Sequence, residues 1–171
     1  MGSQEIMQMD HSYLMGTFSR YPIALVKARG ARAWDAEGKE YLDFLGGIAV
    51  HLLGHCHPKV VDAITDQASQ LIHCSNLYYN EPAAKLAAFL VQQGGLDKVF
   101  FCNSGAEANE GAFKLARKYW FRKGHPEKTK IISAAHAFHG RTLAAITATP
   151  KPEYQEGFGP LPGGFEYVPF N

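Results

Sequence analysis

An α/β fold is predicted by two patterns in the chain. Between Val99 and Ala134 an apolar run, a small-residue turn, a long helical stretch and a second apolar run follow one another, and before them lie short alternating segments punctuated by glycine. Composition agrees: 171 residues that are 46% hydrophobic and 19% charged have a globular balance and enough length for one ordinary domain core.

Taken in order, Gln4 to about Gly16 reads as a short, weakly amphipathic helix, and Pro22 followed by Ile23-Ala24-Leu25-Val26 reads as a strand that ends in a turn at Gly30. Ala33-Trp34-Asp35 and Tyr41-Leu42-Asp43-Phe44 then make a hairpin, with Gly38 supplying the left-handed turn position, so the first strands form a small antiparallel unit. From Pro58, residues Val60, Val61, Ile64, Ala68, Leu71 and Ile72 recur at helical spacing; Pro82 opens another helix with Leu86, Phe89 and Leu90 on one side. Strand Val99–Cys102, helix Glu107 to about Lys123 and strand Lys130–Ala134 then imply a right-handed parallel crossover. Beyond Thr149 the prolines and glycines of residues 150–164 mark an irregular loop, after which Tyr167-Val168-Pro169-Phe170 starts a further strand. A strand stopping at Asn171 would leave sheet edges and apolar helix faces uncovered, so the expectation is a fragment or one chain of a larger assembly.

Charge excludes several function classes. A formal net charge of +1 with acids and bases interspersed offers no basic stripe for nucleic acid and no polybasic run for a membrane surface, and favours a small neutral or zwitterionic ligand. No apolar stretch approaches the roughly 20 residues of a membrane helix. Cys56, Cys74 and Cys102 are odd in number and lack a CxxC spacing, which argues against a disulfide framework and for a reducing compartment, the cytoplasm.

Chemistry concentrates between Lys98 and Arg117. Val99-Phe100-Phe101-Cys102 breaks into Asn103-Ser104-Gly105-Ala106-Glu107-Ala108-Asn109-Glu110 and a helix follows, so small residues sit where the first free amides and the positive end of the helix dipole point outward, an arrangement that seats anions and above all phosphate. The same spacing also fits a plain capping box, with Ser104 as N-cap and Glu107 three residues on.

Asn-Ser-Gly-Ala-Glu-Ala-Asn-Glu resembles the phosphate-binding turn of the class III, pyridoxal-phosphate-dependent aminotransferases. Ile131-Ile132-Ser133 with His136-Ala137-Phe138-His139-Gly140-Arg141-Thr142 is similar to the next strand and loop of that family. The resemblance runs from about Tyr13 to Asn171. Trp34-Asp35, Gly38-Lys39-Glu40-Tyr41-Leu42-Asp43-Phe44, Gly47-Ile48-Ala49-Val50, Leu53-Gly54-His55-Cys56-His57-Pro58 and Ser75-Asn76-Leu77-Tyr78-Tyr79-Asn80-Glu81-Pro82 look like its acetylornithine branch.

What the resemblance implies is the N-terminal part of a fold-type I transferase, with residues 1–57 in a small domain and 58–171 opening the large cofactor-binding one. It implies pyridoxal 5'-phosphate as cofactor, an amino-acid donor and 2-oxoglutarate as small-molecule substrates, a role in arginine biosynthesis and a homodimer for the complete enzyme. Residue by residue, Gly105 and Ala106 would hold the cofactor phosphate beside Ser104, Phe138 would stack on its ring, and Arg141 would bind the substrate carboxylate. Gly105-Ala106 stands where the branch more often has Gly-Thr, at most a lost hydroxyl contact. Ile48 and Tyr78, with Tyr79, would line the substrate side. The residues by themselves leave other readings open: core packing for Phe138, a surface ion pair for Arg141, and packing within the small domain for Ile48 and Tyr78.

No catalytic residue is assigned. The Schiff-base lysine and the carboxylate that pairs with the pyridine nitrogen lie further along in the family; lysines 27, 39, 59, 85, 98, 114, 118, 123, 128, 130 and 151 all sit in helix-face, turn or loop contexts. The expectation is therefore an inactive isolated chain and an active complete one. Other class III donors, namely succinyldiaminopimelate, ornithine or 4-aminobutyrate, and a non-catalytic phosphate-binding or dimerisation fragment are the alternatives. Zinc at His51, His55, Cys56, His57, His73 and Cys74 is disfavoured because Gly54 and Pro58 break the helical spacing that two of them would need, and no metal site is assigned. A dinucleotide site lacks its G-x-G-x-x-G.

Overall fold

The computed structural model describes residues 1–171, which fold as two units, Met1–Asn80 and Glu81–Asn171. In the first, α1 (Ser3–Tyr13) precedes β1 (Leu25–Arg29), β2 (Arg32–Asp35) and β3 (Glu40–Leu42), an antiparallel sheet in the order β1-β2-β3 with Ala28 opposite Ala33 and Ala33 opposite Tyr41. Gly38, at φ 84°, turns β2 into β3 as its position requires. The turn is pinned from inside: the Asp35 carboxylate, nearly buried, accepts from the Glu37 amide at 3.1 Å, the Lys39 amide at 2.8 Å and the Tyr41 hydroxyl at 2.8 Å. Burial pushes the Asp35 carboxyl up, but these donors outweigh it and hold it below the usual range. The N-terminus of α1 is tied to the same turn by the Ser3 amide donating to Glu37 Oε1 at 2.7 Å.

A single turn, α2 (Gly46–Ala49), and the helix α3 (Pro58–Gln70) complete the first unit. Proline at the first position starts α3 where its missing N–H costs nothing. Its apolar stripe shows the predicted spacing, yet Val60, Val61 and Ile64 stay exposed and no residue of α3 is buried.

The second unit contains α4 (Glu81–Gly94), α5 (Gly105–Arg122), β4 (Ile131–Ala134), α6 (Leu143–Ala148), α7 (Pro152–Gln155) and β5 (Phe165–Val168). β4 and β5 run parallel, Ile131 opposite Phe165 and Ala134 opposite Val168, as an α/β crossover demands. The expected strand Val99–Cys102 is not in a ladder, and the crossover from it to Lys130–Ala134 is not formed; β4 takes β5 instead. Four apolar residues between turn signals state a preference, but a strand exists only where a neighbour accepts its hydrogen bonds, and no strand of this chain lies beside residues 99–102.

Helix α6 is the core of this unit: Ala145, Ile146, Thr147 and Ala148 are buried, as is Thr149 after it. With Ala145–Ala148 all buried and only six residues in the helix, no helical period can be read in advance. Its freed carbonyls are met from outside: Ser133 Oγ donates to Ala148 O at 2.7 Å, Tyr167 Oη to Thr147 O at 2.5 Å, and Gln155 Nε2 to Thr149 O at 2.9 Å.

Candidate active site

One face of α5 builds the site. Ser104 is the N-cap, extended at φ −155° and ψ 162°, and its hydroxyl accepts from the Glu107 amide at 3.2 Å. The Glu107 carboxylate reaches back to the Asn103 amide at 2.6 Å, one residue earlier than an ideal capping box would have it. The amides of Gly105 and Ala106 have no acceptor in the protein, and a Cβ on Gly105 would meet no atom within 4 Å. The capping box and the anion seat are thus compatible: the cap takes one orphan donor and leaves the amides of Gly105 and Ala106 without an acceptor in the protein.

Three and four residues after Ala106, on the same face, come Asn109 and Glu110. Asn109 Nδ2 donates to His139 O at 2.7 Å; Glu110 Oε1 accepts from Thr142 Oγ1 at 2.7 Å and from the Ala144 amide at 3.1 Å. The loop between them crosses the start of α5 at Gly140. A Cβ there would lie 2.6 Å from Ala106 Cβ and 2.9 Å from Ala106 Cα, and φ is 127°, so both space and backbone demand glycine. Further along the same face, Phe113 meets Phe165 edge-on at 5.2 Å, and Arg117 donates to Thr129 O and Gly163 O, both at 2.9 Å.

The structure therefore brings Ser104, Gly105 and Ala106 together with the segment that carries Phe138 and Arg141. Phe138 is 60% exposed, which removes core packing as its explanation. Arg141 pairs with no carboxylate; its guanidinium lies over the Tyr154 ring at 4.0 Å and 5.7 Å from the centre of the Phe138 ring. A guanidinium over an aromatic ring and lacking a counter-ion is a ready donor site for a planar carboxylate. His139 Nε2 is buried with no hydrogen-bond partner in the protein, while its own amide donates to Thr149 Oγ1 at 2.9 Å. Free amides, an exposed ring and an unpaired guanidinium fit a ligand that is anionic and flat.

Ile48 and Tyr78 belong to the first unit. Both are largely exposed, 81% and 71%, so neither serves as a core side chain there. Ile48 stands at φ 58° within the turn Gly46–Ala49, a conformation that costs an ordinary residue about 1–2 kcal/mol. His55, one of the residues weighed as a zinc ligand, is bound to Asp43 instead, Nε2 to Oδ2 at 2.6 Å. Three positioning groups are absent from the sequence-based set: Asn109, Glu110 and Tyr154. The first two were within reach, since spacing of three and four from Ala106 puts them on its face; Tyr154 lies in a four-residue helix that no pattern announces.

The family model described as aminotransferase class-III matches residues 16–171. The acetylornithine aminotransferase of Methanocaldococcus jannaschii is 55% identical over 171 residues, covering 100% of this chain and 43% of that protein. The acetylornithine aminotransferase of Caldanaerobacter subterraneus subsp. tengcongensis is 58% identical over 162 residues, 95% of this chain and 41% of that one. The ornithine aminotransferase from Toxoplasma gondii, in a crystal structure described as revealing partial occupancy of PLP at the active site, superposes with a TM-score of 0.93 at 32% identity over 98% of this chain and 40% of its own. The chain spans about two fifths of the length of the curated relatives it matches.

Proposed function

Because this chain belongs to the class-III aminotransferases, we propose that the whole protein transfers the amino group of N2-acetylornithine to 2-oxoglutarate in arginine biosynthesis, as a homodimer in the cytoplasm. The family is dependent on pyridoxal 5'-phosphate and has the fold-type I architecture. The assignment of residues 1–57 to a small domain and 58–171 to the large one belongs to the same proposal. The observation that carries the reading is the lock between α5 and the Phe138–Arg141 loop: two free amides and an unpaired guanidinium are fixed relative to each other through Gly140 on Ala106.

In this reading Gly105 and Ala106 donate their amides to the cofactor phosphate, with Ser104 adjacent, and the dipole of an eighteen-residue helix favours the negative charge. Phe138 offers an exposed ring face that fixes the plane of the cofactor and keeps water from it. When bound, the cofactor supplies an electron sink for the charge left at the amino-bearing carbon once its proton is removed. Arg141 takes the donor's α-carboxylate through two parallel N–H groups, and Tyr154 beneath it limits the orientations of the guanidinium. Ile48 and Tyr78 line the donor's side. The proton-shuttling lysine and the carboxylate for the ring nitrogen are assigned to no residue among 1–171.

The test uses the full-length protein loaded with pyridoxal 5'-phosphate. N2-acetylornithine is expected to shift the cofactor absorbance and 2-oxoglutarate to reverse it, with kcat/KM at least about tenfold above that for ornithine, 4-aminobutyrate or succinyldiaminopimelate. Arg141→Ala should raise the donor KM by about tenfold or more, and Arg141→Lys should recover only part of that loss because it lacks the fork. No absorbance shift with any of the four donors would refute transamination; a preference for another donor would refute the substrate.

A further inference from the structure

Arg141 is held in place without being occupied. Its guanidinium lies 4.0 Å from the centre of the Tyr154 ring and 5.7 Å from that of Phe138, and no carboxylate among residues 1–171 pairs with it. A ring face attracts a cation through its quadrupole but takes none of its in-plane N–H groups, whereas a carboxylate neighbour would take two of them. The fork of Arg141 is thereby left for a ligand, and its place depends on where the two rings stand.

Both rings are tied to one buried residue. Thr149, the fully buried C-cap of α6, donates through Oγ1 to Ala145 O at 2.9 Å and accepts on the same oxygen the amide of His139, also at 2.9 Å. This fixes the backbone beside Phe138. On its other side the Thr149 carbonyl accepts the Lys151 amide at 2.8 Å and Gln155 Nε2 at 2.9 Å, and Gln155 Nε2 also lies 3.1 Å from Ile146 O. Lys151 is the N-cap of α7 and Gln155 its last residue, so these bonds tie both ends of the helix that carries Tyr154 to the buried end of α6. A helix of one turn has no stability of its own, and its place is set by what it is anchored to.

We propose that Thr149 and Gln155 are positioning residues for carboxylate recognition: through Tyr154 on one side and the backbone at His139 on the other they set the place of the Arg141 fork, and so govern affinity for the donor's carboxylate. The proposal rests on the reading that Arg141 takes that carboxylate. A buried hydroxyl and an amide spanning two carbonyls have no alternative partners, so removing either loosens the ring and the loop together. A bidentate pair feels a small displacement because both of its N–H···O bonds must form at once.

The experiment uses the full-length, cofactor-loaded enzyme and two donors that differ in one group: N2-acetylornithine, and N-acetylputrescine, which has the same acetamide and the same reacting amine but no carboxylate. The ratio of their kcat/KM values reads the carboxylate contact and does not depend on how much of a variant is folded or loaded. Tyr154→Leu and Thr149→Val are each expected to lower the ratio about fivefold, whereas Tyr154→Phe, which keeps the ring, and Thr149→Ser, which keeps the hydroxyl, should stay within about twofold of the original. The double variant Arg141→Ala/Thr149→Val should have a ratio no lower than Arg141→Ala alone, since Thr149 acts through Arg141. A ratio lowered in Arg141→Ala but unchanged in Tyr154→Leu or in Thr149→Val overturns the proposal and leaves the role of Arg141 standing, as does an equal loss in Tyr154→Leu and Tyr154→Phe. A ratio unchanged in Arg141→Ala overturns that role and the proposal with it. If Thr149→Val gives no soluble enzyme, Gln155→Leu cuts the same anchor from the side of α7 and is read by the same ratio. If N-acetylputrescine turns over too slowly to measure, calorimetric binding of N-acetylnorvaline, which keeps the carboxylate but lacks the reacting amine, is expected to weaken about fivefold in the same variants, and unchanged binding overturns the proposal.

Discussion

At the scale of single residues, exposure separates function from packing where side-chain type cannot. Phe138 and Ile48 are apolar and would be assigned to a core by type alone; both stand in the open, and each is held there by backbone geometry around a glycine. Asp43 shows the same economy, with one carboxylate serving two amides and an imidazole. Because its native carboxyl is held below the ordinary value of 3.8, the unfolded state binds more protons in that range, so the stabilisation is complete above it and is lost as pH falls through the lower native value. Urea denaturation of the full-length protein between about pH 2 and pH 6 is expected to show an acid limb that Asp43→Asn flattens. An unaltered slope would mean that these hydrogen bonds do not persist in solution.

At the scale of elements, α5 is a strut whose two faces do different work. Ala106, Asn109, Glu110, Phe113 and Arg117 hold the Phe138–Arg141 loop, β5 and the segment before β4, whereas Ala108, Ala112 and Leu115 border an open apolar groove with Phe100, which Arg117 also reaches. Glu110 caps α6 from another helix, so its removal should cost about 1 kcal/mol in stability, the usual worth of a cap. The more telling effect is catalytic, since Thr142 adjoins Arg141. Glu110→Ala is expected to raise the donor KM several-fold while leaving cofactor affinity within about twofold, and Glu110→Gln, which keeps one acceptor oxygen, should do so less. Steady-state kinetics beside a cofactor titration would check both; a lost cofactor affinity with an unchanged KM would contradict the assignment.

At the scale of the molecule, the apolar stripes exceed what the two units bury. Helices α3, α4 and α5 have no buried residue, and Ile64, Leu86, Phe89 and Leu115 are all exposed, although each sits on the face its helical period assigns to a core. Surfaces of this kind are covered in a working protein. Expressed alone, residues 1–171 are expected to bind a hydrophobic dye and to sediment well above 18.8 kDa, whereas the full-length enzyme should bind little dye. A monodisperse monomer without dye binding would overturn this.

The sequence by itself determined what depends on neighbours along the chain: the hairpin at Gly38, the proline start of α3, the cap at Ser104, and the strand Lys130–Ala134 within a residue. It also carried the candidate site, because the anion seat of Gly105 and Ala106 is one helix terminus and the Phe138–Arg141 loop is one short motif. Tertiary structure alone decided what depends on partners distant in the chain. Val99–Cys102 lacks a ladder because no strand lies beside it, and α6 forms where Ala145–Ala148 are buried by elements distant in the chain. Tyr154 and the Asp43–His55 clasp gain their roles from residues 13 and 12 positions away, and local pattern holds no information at that range.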